Sequence, residues 1–170
     1  QMWAILPQTW LGNLVGSVFV ALLYSWGGGS LLPVDTSIVH SVALAKTTAP
    51  ATVLFFKGAL CNWLVCLAIW MAIRTEGAAK FLAIWWCLLA FIASGYEHSV
   101  ANMTLFALSW FGHHSEAYTL SGIGHNLLWV TLGNTLSGVV FMGLGYWYAT
   151  PKSERPAPAK INQPEAAANN

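Results

Sequence analysis

Four long runs of apolar residues constrain the fold of this chain more than any other feature. They cover approximately residues 2–26, 51–73, 81–111 and 123–149. A helix of about 20 apolar residues crosses the hydrocarbon core of a bilayer, so each run is long enough to span a membrane. Only 8% of the 170 residues are charged, against about 25% in soluble domains. The chain is therefore predicted to be an all-α membrane protein with four transmembrane spans. Its net charge of +1 does not indicate the excess of basic residues that binds nucleic acid.

The cations outside the apolar runs predict how the chain is oriented. Arg74 and Lys80 lie between the second and third runs, and three more cations follow the fourth run. The loops on the other side hold only Lys46. Because cytoplasmic loops are enriched in Lys and Arg, the C-terminus is predicted to be cytoplasmic. We divide the chain into a transmembrane domain, residues 1–150, and a Pro-, Ala- and Asn-rich tail, residues 151–170, predicted to be disordered.

An internal repeat links the first and fourth runs. Leu11–Val18 and Leu132–Val139 share the pattern Leu-Gly-Asn-x-x-small-small-Val at an offset of 121 residues. The two runs cross the membrane in opposite directions, as the inverted repeats of many transporters do. The pattern predicts an inverted-repeat helical bundle. If both runs are third helices of a repeat, two spans are expected before residue 1, so we expect the chain to be a fragment.

The third run carries ionisable residues in its middle. Glu97 and His98 follow Ser94 and Gly95, and Asn102 lies one turn after His98 on the same face. Such groups are costly in a membrane and mark functional sites. We expect the helix to be interrupted at Ser94–Gly95, with a new helix N-terminus that favours an anion. The functional interpretation is a pore or carrier site in which His98 is the reacting group; the alternative is a polar network that holds helices together.

Three further polar residues are candidate partners for this site. Asn62 lies in the second run and Asn134 in the fourth. Each is either part of the pore or a hydrogen-bonding contact between helices. Lys46 lies just before the second run on the external side, where its charge would attract anions.

Three segments resemble, in order, the signatures of the formate/nitrite transporter family: Lys57–Ala68, Gly95–Met103 and Asn126–Asn134. The resemblance implies an aquaporin-like fold of six spans, assembled as a homopentamer in the bacterial inner membrane, with a pore in each protomer. This chain would hold the last four spans, one of them interrupted. The resemblance implies a channel for small monovalent anions, with nitrite favoured and formate or hydrosulfide as alternatives. It implies neither enzymatic activity nor a cofactor.

The resemblance also implies a role for each candidate residue. It implies that His98 is the central pore histidine and that Glu97, Lys46 and Asn102 form a polar network beside it. It also implies that Phe91 belongs to an external hydrophobic constriction and that Asn62 and Asn134 are polar positions in the pore. Histidine has an ordinary pKa of about 6.5, so it could give nitrite a proton or a hydrogen bond. The less charged species would then pass the constriction, which gates by dewetting.

Two interpretations of another class stay open at this point. A haem-binding membrane redox subunit would use His98 and His125 as axial ligands, although the two residues fall at different depths in their runs. An intramembrane serine protease would use Ser94 or Ser99 with His98, but no nucleophile elbow is present.

Overall fold

The computed structural model of the chain describes residues 2–29, 37–112 and 114–152. Every regular element in these ranges is helical, which confirms the predicted all-α class. The elements are α1 (Met2–Trp26), α2 (Ile38–Thr47), α3 (Ala51–Arg74), α4 (Gly77–Ala93), α5 (Ser99–Phe111), α6 (Leu120–Leu136), a π-helical segment (Ser137–Leu144) and α7 (Gly145–Ala149).

The apolar helices coincide with the four apolar runs, and α2 lies between the first two runs. Ile5–Trp26, Ala51–Arg74 and the continuous Leu120–Ala149 are long and apolar enough to cross a membrane. The third run is divided between the shorter apolar helices α4 and α5, so the predicted interruption is observed. The division of the chain into a membrane domain and a disordered tail stays a prediction, because residues 153–170 lie outside the described residues.

Helix α2 is capped at both ends, and a short joint, residues 48–50, connects it to α3. The hydroxyl of Ser37 accepts a hydrogen bond from the N–H of Val39 at 3.2 Å, which satisfies one of the free N–H groups of the first turn. Thr48 closes the other end through its N–H, which donates to the carbonyl of Leu44. Pro50 then sets the extended backbone from which α3 begins. This joint places Lys46 in the last turn of α2, close to the start of α3.

Helices α3 and α6 pack backbone to backbone through small residues. A Cβ built on Gly133 would overlap the carbonyl oxygen of Phe55 and come within 3.0 Å of the N atom of Ala59. A Cβ on Gly58 would lie 2.9 Å from the carbonyl oxygen of Val130. Glycines permit this close approach between membrane helices. The contact holds the second and fourth runs at the separation that the site requires.

The internal repeat has a structural counterpart at the contact of α1 with α6. The indole N–H of Trp10 donates to the hydroxyl of Thr131 at 3.1 Å, across a sequence separation of 121 residues. This equals the offset of the repeat, so the two residues occupy equivalent positions. Equivalent positions meet in this way when they lie near the two-fold axis of an inverted repeat.

We predict that Gly133→Ala destabilises the protein by about 1–3 kcal/mol, because an added methyl group would overpack a fixed backbone contact. Gly124→Ala on the same helix is the matched control, since nothing lies within 4 Å of a Cβ built there. The measurement is the free energy of unfolding in mixed micelles, followed by tryptophan fluorescence. Equal stability of the two variants would show that the α3–α6 contact can relax.

Candidate functional site

The break in the third run starts with a regular helix-ending motif at the end of α4. The N–H of Tyr96 donates to the carbonyl of Phe91, and the N–H of Gly95 donates to that of Ile92, both at 3.1 Å. These two hydrogen bonds form a Schellman motif, which needs a residue in the left-handed conformation after the helix. Gly95 provides it with φ of 62°, a conformation that glycine adopts without a steric penalty. The chain therefore leaves the helix at the position that Ser94–Gly95 predicted.

His98 caps the helix that follows the break. Its backbone is extended (φ −116°, ψ 118°), and its Nδ1 accepts a hydrogen bond from the N–H of Ala101 at 3.3 Å. The side chain thus satisfies one of the free N–H groups at the start of α5. The structure assigns the cap to His98 and directs the Glu97 carboxylate elsewhere.

Asn134 holds the broken backbone in place. Its Nδ2 donates to the carbonyl of Gly58 at 2.8 Å and to that of Glu97 at 3.0 Å, while its Oδ1 accepts from the N–H of Ser99 at 3.0 Å. Asn62 supports it by donating to the backbone carbonyl of Asn134 at 2.6 Å. These bonds join α3, α6 and both sides of the break. Both predicted asparagines therefore reach the site, and both bind backbone groups.

A closed ring of hydrogen bonds surrounds the carboxylate of Glu97, whose side chain is buried. Lys46 Nζ lies 2.7 Å from Oε1, and Asn102 Nδ2 donates to Oε2 at 2.6 Å. The same Asn102 nitrogen donates to Asn126 Oδ1 at 2.9 Å, and Asn126 Nδ2 donates to the backbone carbonyl of Lys46, also at 2.9 Å. A buried charge is costly without partners. The ring supplies them, because Lys46 compensates the charge of the carboxylate and Asn102 binds its second oxygen.

The geometry changes the interpretation of Lys46 and adds a residue that the sequence analysis missed. The Lys46 side chain is only 18% exposed and pairs with Glu97, so its charge is largely compensated by a carboxylate of the same protein. Asn126 was not among the candidates. It opens the third family-like segment and precedes Asn134 by about two helical turns, which places both on one face of α6 and was the available signal.

A cavity of about 1120 Å³ opens beside the break. Three of the predicted site residues, His98, Asn62 and Asn134, line it, together with Ser99 and Thr131. The other four predicted residues lie outside the described lining: Lys46, Glu97, Asn102 and Phe91. The site therefore has two parts, a buried ring of hydrogen bonds and an accessible cavity. They meet at two consecutive residues, since Glu97 belongs to the ring and His98 lines the cavity.

Phe91 and His125 lie next to the site in different ways. The ring centroids of Phe91 and His98 are 6.2 Å apart, with 30° between the ring planes. His125 Nε2 lies 3.2 Å from the carbonyl oxygen of Ala49, at the joint between α2 and α3. The haem interpretation would use His125 as an axial ligand, whereas its Nε2 contacts the backbone of the joint.

Apolar helices around an interrupted helix, with a largely buried ion pair and an imidazole that lines a cavity, are features of membrane transport proteins. The comparison with protein families agrees and is more specific. The family model described as "Formate/nitrite transporter" matches residues 1–148. The chain belongs to this family, as the three signature-like segments indicated.

Similar proteins cover nearly all of this chain. The nitrite transporter NirC of Salmonella typhimurium is 98% identical over 170 residues, which are 100% of this chain and 63% of that protein. A solved structure described as "FNT family ion channel" matches with a TM-score of 0.87 and 98% identity, covering 89% of this chain and 61% of that chain. A "Pentameric formate channel with formate bound" matches with a TM-score of 0.69 and 26% identity, covering 82% and 62%. The chain thus spans less than two thirds of the length of each.

We predict that Asn134→Leu destabilises the protein by at least about 2 kcal/mol, because it strands the buried carbonyl of Glu97 and the buried N–H of Ser99. Thr104→Val is the control. It removes a part-buried hydroxyl pair with Ser17 (3.0 Å) and is expected to cost about 0.5–1.5 kcal/mol. Unfolding in mixed micelles measures both. A loss no larger for Asn134→Leu than for Thr104→Val would contradict the role of Asn134 in holding the break.

Proposed function

We propose that this chain is part of a channel that conducts nitrite, a small monovalent anion, across the bacterial inner membrane, with His98 in the path of the solute. The position of His98 supports the proposal most directly, since it caps the interrupted helix and lines the cavity. The similarity to a nitrite transporter supports nitrite as the solute. Formate is the second candidate, supported by the more distant similarity to a formate channel.

The hydrogen bond at Nδ1 determines what His98 offers to the solute. Because Nδ1 accepts the N–H of Ala101, the proton of the neutral ring is assigned to Nε2. The ring therefore offers an N–H donor, and a second proton on Nδ1 would displace the cap of α5. A fixed donor at this depth suits an anion that has left water. The neutral ring can hydrogen-bond a nitrite oxygen, and only the imidazolium, protonated on both nitrogens, could give up a proton to it.

The polar ring removes an obstacle to anion passage. A bare carboxylate at Glu97, next to His98, would repel an anion strongly in a medium of low dielectric constant. Lys46 and Asn102 bind its two oxygens, so the pair is close to neutral overall. We assign Lys46 this neutralising role. An anion then meets the imidazole donor of His98 rather than a net negative charge.

The surroundings of His98 favour a solute of low charge. Leu6, Leu11, Leu127 and Leu128 contribute to the cavity wall, and an uncompensated ion pays a large desolvation penalty in such a cavity. Phe91, beside His98, is proposed as part of the hydrophobic constriction. Proton transfer to nitrite at His98 would lower the barrier at the constriction.

Assembly and location follow the same similarities. We propose a homopentamer, supported by the similarity to a pentameric formate channel, and transport without enzymatic turnover. The arrangement of Lys and Arg supports a cytoplasmic C-terminal tail. The lipid bilayer and further copies of the chain are the proposed partners.

We predict that His98→Phe, in the full-length protein in liposomes, lowers nitrite flux at least about tenfold, the loss expected for one hydrogen bond to a charged group, and alters its pH dependence. His114→Phe is the matched control, since His114 stacks on Trp110 outside the described cavity lining. Gel filtration checks that both variants assemble. Unchanged nitrite flux in His98→Phe across the pH range would refute the role of His98.

A further inference from the structure

Asn126 on α6 has no exposed surface, yet it contacts both groups that bind Glu97. Its Oδ1 accepts from Asn102, and its Nδ2 donates to the backbone carbonyl of Lys46. We propose that Asn126 is a positioning residue for transport, which fixes the two donors of Glu97 so that the ring stays neutral beside His98. This inference rests on the proposed function.

The first contact fixes the orientation of Asn102. The side-chain nitrogen of Asn102 has two hydrogens, one directed to Glu97 Oε2 and the other to Asn126 Oδ1. If the amide turned over, its oxygen would face the carboxylate and the oxygen of Asn126, which are both acceptors. Asn126 therefore holds Asn102 in the orientation that donates to Glu97.

The second contact fixes the helix end that carries Lys46. The last carbonyls of a helix have no partner within the helix, and Asn126 Nδ2 satisfies that of Lys46 at 2.9 Å. One turn earlier, Gly122 allows close packing, since a Cβ there would lie 3.0 Å from the Cβ of Thr47. The start of α6 thus fixes the end of α2, from which the ammonium group reaches Glu97.

The substitution Asn126→Asp isolates this role. It keeps the size and the acceptor for Asn102, removes the donor to Lys46 and places a second carboxylate next to Glu97. Four titratable groups lie around this position: Lys46 of α2 pairs with Glu97 of the break, Cys61 of α3 interacts electrostatically with both, and His125 of α6 is directed to Ala49 instead. Lys46 is the one permanent cation among them, so the ring of the variant carries a net negative charge when both acids are ionised.

We expect Asn126→Asp, in the full-length protein in liposomes, to lower nitrite flux at least about tenfold at neutral pH. Two carboxyls that share a site take up one proton readily. Acidification therefore restores a neutral ring, and flux recovers as the pH falls. Asn126→Ala loses both bonds without adding a charge, so it is expected to lower flux without recovery in acid. A purely structural role would give both variants the same pH profile.

His125→Leu is the matched control, since it removes the contact of the same α6 turn with the α2–α3 joint at Ala49 and leaves the ring intact. It is expected to keep the pH profile of the wild type. If the wild type conducts nitrite and Asn126→Asp follows the profile of His125→Leu, the inference is overturned while the proposed function stands.

An infrared pH titration of the reconstituted proteins tests the inference without transport. Relative to the wild type, Asn126→Asp is expected to gain one protonated carboxyl band on acidification, in the range where its flux recovers. If the wild type does not conduct nitrite, the proposed function fails and this band alone decides whether Asn126 faces Glu97. No additional band would overturn the inference.

Discussion

A helix interrupted within a membrane must satisfy its freed backbone groups inside the protein, because lipid offers no hydrogen-bond partners. Asn134 meets part of this requirement by binding the carbonyl of Glu97 and the N–H of Ser99 at the break. The close packing of α3 against α6 at Gly58 and Gly133 brings Asn134 within reach. The position of His98 beside the cavity therefore depends on a contact between two other helices.

The charged groups of the site lie apart from the cavity that a solute can enter. The acid, its lysine and two amides form a buried ring whose hydrogen bonds are directed inward. The cavity is lined instead by an imidazole, neutral amides and apolar side chains. This division allows a carboxylate to lie next to the proposed path without repelling anions. It also leaves His98 as the group where the helix cap, the ring and the cavity meet.

The sequence predicted the features that depend on local chemistry. Charged residues inside an apolar run, next to Ser94 and Gly95, indicated the break, because ionisable groups and a left-handed turn both conflict with a continuous membrane helix. The helix bounds followed the apolar runs for the same reason. The family resemblance supplied most of the site residues, including Phe91, which composition alone would not distinguish from other apolar side chains.

The contacts that build the site depend on which helices cross and at what depth, which no local pattern contains. The bonds from Asn134 to Gly58 and Glu97 span 76 and 37 residues of sequence. Apart from its place in the third family-like segment, nothing in the sequence distinguishes Asn126 from other polar residues near the start of a helix. The resemblance implied one polar network of Lys46 and Glu97, but the direct ion pair between them, across 51 residues of sequence, comes from the structure.

The central claim is that the side chain at position 98 faces water and solute rather than lipid. Its most direct measurement is the thiol reactivity of a His98→Cys variant, in a background that lacks Cys61, Cys66 and Cys87, in liposomes. We expect a small, charged, water-soluble thiosulfonate to modify the introduced thiol and nitrite to slow the reaction. A thiol that reacts only with a lipid-soluble maleimide, or with neither reagent, would contradict the claim.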